Sequence, residues 1–376
     1  MNIKQLSLTE NNWKKEFSKI DFHPNLFLLF ISPDFKFKQD VLNTINKQYA
    51  NATIIGCSTA GEISDISVND KTISLTAIRL EKVVYKKEAV KIKSISDSFN
   101  AGKRLANKLY TNDLKHVIIF SDGLNIDGSD LVSGLQSKLP NIGITGGLAA
   151  DGTNFNNTFV INNNTFVNKT IIGLGLYGKH LKVGFGSRGG FDSFGVDRLV
   201  TKSKHNTLYE LDGVPALKLY RSFLGEEDAK NLPESGVNFP LGMREDENKQ
   251  PVVRTVYGIS EEEQSLIFTG KIIEGSYIRL MKSNVDRLIN ASEDSAIIAN
   301  KSHENQPELV ILISCVGRRA VLKQLIEEEV EVVRDVVGNK SCITGFYSYG
   351  EIAPFEKHVR CQLHNQTMTI TTLSEC

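Results

Sequence analysis

The octet Gly56-Cys57-Ser58-Thr59-Ala60-Gly61-Glu62-Ile63 returns near the other end of the chain as Gly345-Phe346-Tyr347-Ser348-Tyr349-Gly350-Glu351-Ile352, with Gly, Gly, Glu and Ile in the same four places. A few identities in eight positions prove little alone, but both copies have the same setting. Leu26 to Ile31 is an apolar run, a helical pattern spans about Lys36 to Gln48, and Ala52 to Ile55 leads into the first octet. Leu309 to Ile313 is a second apolar run, a helical pattern covers Arg319 to Val337, and Cys342 to Thr344 leads into the second. Strand, helix, strand and glycine loop occurring twice is how an internal duplication looks.

The rest of the chain reads as further α/β elements. Thr72 to Arg79 and Val83 to Ile92 mix β-branched residues with polar alternation, as strands do. A helix is expected at Phe99 to Leu109. A third strand-loop unit, weaker in its echo of the octets, runs from Val117 through Ser129 to Leu139 and ends in Gly146-Gly147-Leu148-Ala149-Ala150-Asp151-Gly152. From Thr158 the texture is β-rich, and the glycines of Gly184 to Gly190 indicate either a bulged turn or a segment that something approaches closely. Pro215 opens a helix in its first turn, where a missing N–H costs nothing. The expected fold class is therefore α/β, with two related domains, each a mixed β-sheet covered by helices, divided as 1–212 and 213–376.

A chain of 376 residues exceeds what one compact core usually holds, and 40% hydrophobic content supplies two. Lys plus Arg equals Asp plus Glu at 44 each, without long blocks of one sign, so there is no electrostatic case for nucleic acid or an anionic membrane. The polar start and the lack of any bilayer-length apolar run give a cytoplasmic expectation. Five scattered cysteines without a C-x-x-C pair argue against disulfides and structural zinc.

Ligands of α/β sheets gather beyond the carboxyl ends of strands, where all three glycine loops are placed. Gly61 and Gly350 let main-chain N–H groups approach a ligand, and Glu62 and Glu351 offer acceptors; the alternative is that each acid caps or braces its loop. Of Arg318 and Arg319, between a strand and a helix, one could hold a carboxylate bidentately while the other lies on a solvated turn; Arg188 is a further candidate. An acid and an arginine in one pocket suit an amino acid. The resulting ligand set is Cys57, Ser58, Gly61, Glu62, Gly146, Gly147, Arg318, Tyr347, Ser348, Gly350 and Glu351. Cys57 and Ser58 have no neighbouring base and no G-x-S-x-G elbow, so no catalytic residue is assigned and no enzyme is expected. The seven histidines, His358 and His364 among them, show no paired metal spacing, so no metal site is assigned, although haem needs only one axial side chain.

Taken with Glu210-Leu211-Asp212-Gly213-Val214-Pro215-Ala216 and Leu363-His364-Asn365-Gln366-Thr367, the three loops resemble the FIST (F-box and intracellular signal transduction) family, and the likeness covers both its N-terminal and C-terminal domains. The resemblance implies a cytosolic, non-catalytic sensory protein that binds a small ligand, with amino acids suggested for the family. Some stand-alone two-domain members are haem-binding nitric-oxide sensors that regulate a histidine kinase, which sets haem as the alternative cofactor and a kinase as the expected type of partner. A ligand-free interaction scaffold is the third reading.

Overall fold

A computed structural model describes residues 1–246, 250–355 and 360–376; His358 lies outside the described residues. Across it the chain builds the same unit three times. In the first, β1 (Asn2–Leu8) leads through α1 (Trp13–Phe17) to β2 (Leu26–Ile31), and α2 (Lys38–Gln48) returns the chain to β3 (Thr53–Ser58), parallel to β2. A hairpin of β4 (Glu62–Ser64) and β5 (Ser67–Asn69) then leaves the sheet, and β6 (Ile73–Arg79) comes back antiparallel between β1 and β2.

The second unit repeats that order with β7 (Val84–Lys91), α3 (Ser98–Leu109), β8 (Leu114–Ser121), α4 (Gly128–Gln136), β9 (Gly143–Leu148), the hairpin β10 (Val160–Asn162) and β11 (Thr165–Val167), and β12 (Thr170–Tyr177). The third starts at β13 (Leu181–Arg188) and is interrupted by an inserted antiparallel sheet. That insert holds β14 (Phe191–Lys204), β15 (Thr207–Leu211), β16 (Val214–Pro215), α5 (Ala216–Phe223), α6 (Glu226–Lys230), β17 (Leu241–Arg244), β18 (Val252–Arg254), β19 (Val256–Ser260), β20 (Ser265–Phe268) and β21 (Tyr277–Ser283). The unit resumes with α7 (Val285–Asn300), β22 (Leu309–Cys315), α8 (Val316–Leu322), α9 (Glu328–Val337), β23 (Cys342–Ser348), the hairpin β24 (Glu351–Ala353) and β25 (Gln362–His364), and β26 (Met368–Glu375).

The mixed α/β architecture expected from the sequence is present, and the repeat goes further than a duplication. The three sheets run β1-β6-β2-β3-β10-β11, β7-β12-β8-β9-β24-β25 and β13-β26-β22-β23-β4-β5. Each hairpin completes another unit's sheet: the first unit's pairs with β23, the second's with β3 and the third's with β9. No unit finishes its own sheet, so the three fold as one interlaced body. The division near residue 212 falls inside the insert, between the paired strands β15 and β16.

The central strands β2 and β22 are buried at every residue, as strands covered on both faces must be. Phe30, Phe120 and Phe346, one from each unit, meet with ring centroids 4.7 to 6.1 Å apart. This cluster explains why the octets differ at their second position. Cys57, Gly147 and Phe346 hold equivalent places in β3, β9 and β23, opposite Phe30, Phe120 and Ile313. A Cβ on Gly147 would come within 2.7 Å of Ile313 and 3.2 Å of the Phe346 ring, so one large side chain needs two small neighbours.

The first glycine of each loop is steric as well. Gly56 and Gly146 have φ of +151° and +154°, and a Cβ there would lie 1.8 and 2.0 Å from the carbonyl oxygens of Leu29 and Ile119. The Gly184 segment proves to be the closely approached kind: Gly184 and Gly186 sit in β13, where a Cβ would strike the main chain of α7. The helical pattern predicted over Arg319 to Val337 is broken between α8 and α9, with Lys323 at φ +51°. That break has a structural consequence at Arg318.

Candidate functional site

The two octet glutamates are braces. Glu62 is 1% exposed; it accepts from the Thr59 hydroxyl at Oε1, and from the Thr72 N–H (3.1 Å) and hydroxyl (2.7 Å) at Oε2. Glu351 is fully buried and repeats the pattern with Ser348 Oγ (2.6 Å), Thr367 N (3.1 Å) and Thr367 Oγ1 (3.1 Å). Thr72 and Thr367 immediately precede the returning strands β6 and β26, so each carboxylate pins the point where its sheet closes. In the second unit the position is Gly152, and Asp122, just past β8, accepts the N–H of Lys169 before β12 at 2.5 Å. Burial raises the pKa of both glutamates to about 7, against the pull of the hydroxyl and N–H donors. With both oxygens of each carboxylate occupied, neither is placed to meet a ligand.

Arg318 corrects the sequence-based site in the same way. It is fully buried and ion-paired with Glu329, Nε and Nη2 both lying 2.8 to 2.9 Å from Oε2. Its remaining donors reach Gly189 O, Leu288 O and Ser292 Oγ at 2.7 to 2.8 Å. Eleven residues along one continuous helix would separate the two side chains by about 16 Å. The break between α8 and α9 is what lets them meet. Glu329 also accepts from Ser314 Oγ (3.1 Å) and Tyr347 Oη (2.6 Å), so Tyr347 belongs to this core network. Arg319 is the outward member, forked onto Asp70 at 2.8 and 2.6 Å.

Of the remaining predicted residues, Cys57 is buried, with its thiol pKa pushed well up by burial, and Ser58 Oγ accepts the Phe159 N–H at 3.1 Å. Gly61 faces Arg319 and Tyr347, Gly146 lies against Ile119, and Gly350 packs on Leu363 and Leu148. Ser348 holds Glu351 and Gly147 packs at the phenylalanine cluster. The structure therefore places all eleven inside the body. His116 and His364 are buried too, their pKa values lowered by burial to about 3 and about 4.

An accessible cleft of about 910 Å³ opens nearby, beyond the carboxyl ends of β8 and β9. One wall is the Gly123–Gly128 turn, Leu148, Phe155 and Tyr349; the other is supplied by the insert, through the His205-Asn206 turn, Tyr257 and the 268–271 segment. Tyr349, from the second octet, stacks on Phe155 at 4.4 Å between centroids and 13° between planes, and its hydroxyl donates to Asp151. Phe155 and Tyr257 are each 49% exposed, an aromatic face open to the cleft. Asp127 caps α4 by accepting from Asp130 N at 2.9 Å, and Lys271 of the insert reaches Asp130 at 3.5 Å, bridging the two walls. Thr269, whose buried Oγ1 has no partner among the described residues, also lines the cleft.

This set combines aromatic surface, two carboxylates and one ammonium group in a space of ligand size. The eleven residues predicted from the sequence are buried, and none of them lines this cleft. Asp127, Phe155, Tyr257 and Lys271 belong to no repeated motif, and two of them come from the insert, whose contact with the second unit has no local sequence signal.

Two family models match the chain, the FIST N domain over residues 25–214 and the FIST C domain over 216–354. An uncharacterized protein of Methanocaldococcus jannaschii is 28% identical over 370 residues, covering 87% of this chain and 69% of that protein. The crystal structure of a cyanuric acid hydrolase from A. caulinodans covers 99% of both chains, at 7% identity and a TM-score of 0.37, a likeness too slight to carry an argument.

Proposed function

The chain belongs to the FIST family, whose domains are sensor domains of signal transduction, and we propose that it senses a small zwitterionic ligand of the amino-acid class in the cleft between the second unit and the insert. The observation that carries this reading is the juxtaposition, across one cleft, of an aromatic face with the Asp127, Asp130 and Lys271 charges. An α-ammonium group is matched by Asp127, a carboxylate by Lys271 once it releases Asp130, and an apolar side chain by Phe155 and Tyr257. A free amino acid fills only part of 910 Å³, so binding favours a state in which the insert closes on the second unit. Differential affinity for that state is what a partner, such as a histidine kinase, would read. No helix among the described residues is long and apolar enough to cross a membrane; the reading places the protein in the cytoplasm.

Native mass spectrometry of freshly purified protein and a thermal-shift panel of amino acids test the proposal. Asp127→Asn, which keeps an oxygen for the helix cap, is expected to weaken the best ligand about tenfold or more, roughly 1.4 kcal/mol. Silence of the whole panel would leave the scaffold reading in its place. For haem, His205 is the one histidine among the described residues that lines the cleft. A Soret band after reconstitution that is lost in His205→Ala would favour that alternative, and no band would remove it.

A further inference from the structure

We propose that a second, smaller cavity beside the cleft binds phosphate, as the free ion or as the phosphoryl group of a monoester. This cavity, about 140 Å³, adjoins the first turn of α4, and Ser129, Arg254, Arg360 and Gln362 line it. Arg254, at the end of β18, is its most informative member. The side chain is 4% exposed and, among the described residues, donates only to main-chain carbonyls: Nε to Lys271 (3.1 Å), Nη1 to Val253 (3.0 Å) and to Leu363 (3.1 Å). Among the described residues its hydrogen bonds are made by Nε and Nη1, none by Nη2, and it forms no salt bridge. Burial lowers its pKa to about 10, offset in part by the field of Asp127. A buried guanidinium without a counter-ion is destabilising, and an anion in the adjoining cavity relieves it.

Independent observations point the same way. Ser129 Oγ and Gln362 Oε1 are buried without a hydrogen-bond partner among the described residues. Arg360, at the open side, is anchored through Nε to Gln136 Oε1 at 3.1 Å, and its two Nη groups make no hydrogen bond among the described residues. Gly270 packs on the Arg254 guanidinium, where a Cβ would lie 2.9 Å from Nε, so the insert leaves space for that group. Arg244, ion-paired with Asp197, and Glu245 complete the charged lining.

The donor and acceptor set selects the anion. Two guanidinium groups and the Ser129 hydroxyl offer donors to several oxygens, which a carboxylate lacks. Gln362 Oε1 needs a donor in return. Inorganic phosphate carries a P–OH that supplies one, and so does a monoester in its monoanionic form, below its second pKa of about 6, whereas sulfate has none.

Calorimetric titration of the full chain at about pH 5.5, where a monoester keeps its P–OH, with inorganic phosphate, phenyl phosphate and sulfate tests this. Phosphate or phenyl phosphate is expected to bind, sulfate about tenfold more weakly, and the surface substitution Arg360→Gln and the small change Ser129→Ala are each expected to weaken binding by about tenfold. Asp127→Asn, which removes the opposing charge near Arg254, should leave phosphate binding intact or tighten it, separating this site from the cleft. Binding of the inorganic ion identifies free phosphate as the ligand; binding of phenyl phosphate alone identifies the phosphoryl group of a larger molecule. The proposal is overturned if wild type binds neither at millimolar concentration, if sulfate binds equally well, or if both variants bind as wild type does.

Discussion

Glu329→Gln is expected to destabilise the protein by about 3–5 kcal/mol, because it leaves the Arg318 guanidinium buried without its counter-charge. The loss reaches several elements at once. Arg318 holds Leu288 and Ser292 of α7 and the main chain at Gly189, while Glu329 holds Ser314 of β22 and Tyr347 of β23. Chemical denaturation at neutral pH measures it. The double variant Arg318→Met with Glu329→Gln should lose less than the sum of the two single variants, since each single one strands a partner. A Glu329→Gln change below about 1 kcal/mol would mean that the network is relaxed or hydrated in solution.

The second large effect is a dependence on pH. Glu62 and Glu351 have folded-state pKa values of about 7 against an ordinary value of 4.5. The folded state therefore binds their protons more tightly than the unfolded chain does. Stability from this source is fully present below pH 4.5 and is lost as the pH rises through 7, on the order of 3 kcal/mol for each carboxylate. The double variant Glu62→Gln, Glu351→Gln should flatten the curve between pH 5 and 8 relative to wild type, and at pH 8 be at least as stable. Each Gln keeps an oxygen for the threonine donors, so the brace survives without the charge. An unchanged slope in the double variant would show that these carboxylates ionise normally.

Much of the fold is legible in the sequence because the repeat unit is local: an apolar strand, an amphipathic helix, a second strand and a glycine held in place by a carbonyl, as at Gly56 and Gly146. The exchange of hairpins is not legible. Nothing in Glu62-Ile63-Ser64 specifies that its pairing partner is Thr344 to Phe346, some 280 residues away, in place of its own unit. The repeated acids are ambiguous for the same reason, since a Glu after a strand-end glycine has the same local sequence whether its partner is a ligand or the Thr72 or Thr367 that closes a sheet. The local pattern continues a helix through Lys323, but the chain breaks there and turns Arg318 inward onto Glu329. The cleft residues carry no motif, and they come together only when the insert folds against the second unit.

Calorimetric titration of wild type, Asp127→Asn and Glu351→Gln, with the amino acid that gives the largest thermal shift, tests the central claim most directly. If the cleft is the sensing site and the octet acids are braces, Asp127→Asn loses about tenfold or more in affinity while Glu351→Gln binds as wild type does. Affinity lost in Glu351→Gln and kept in Asp127→Asn would return the ligand to the octet loops and contradict this account.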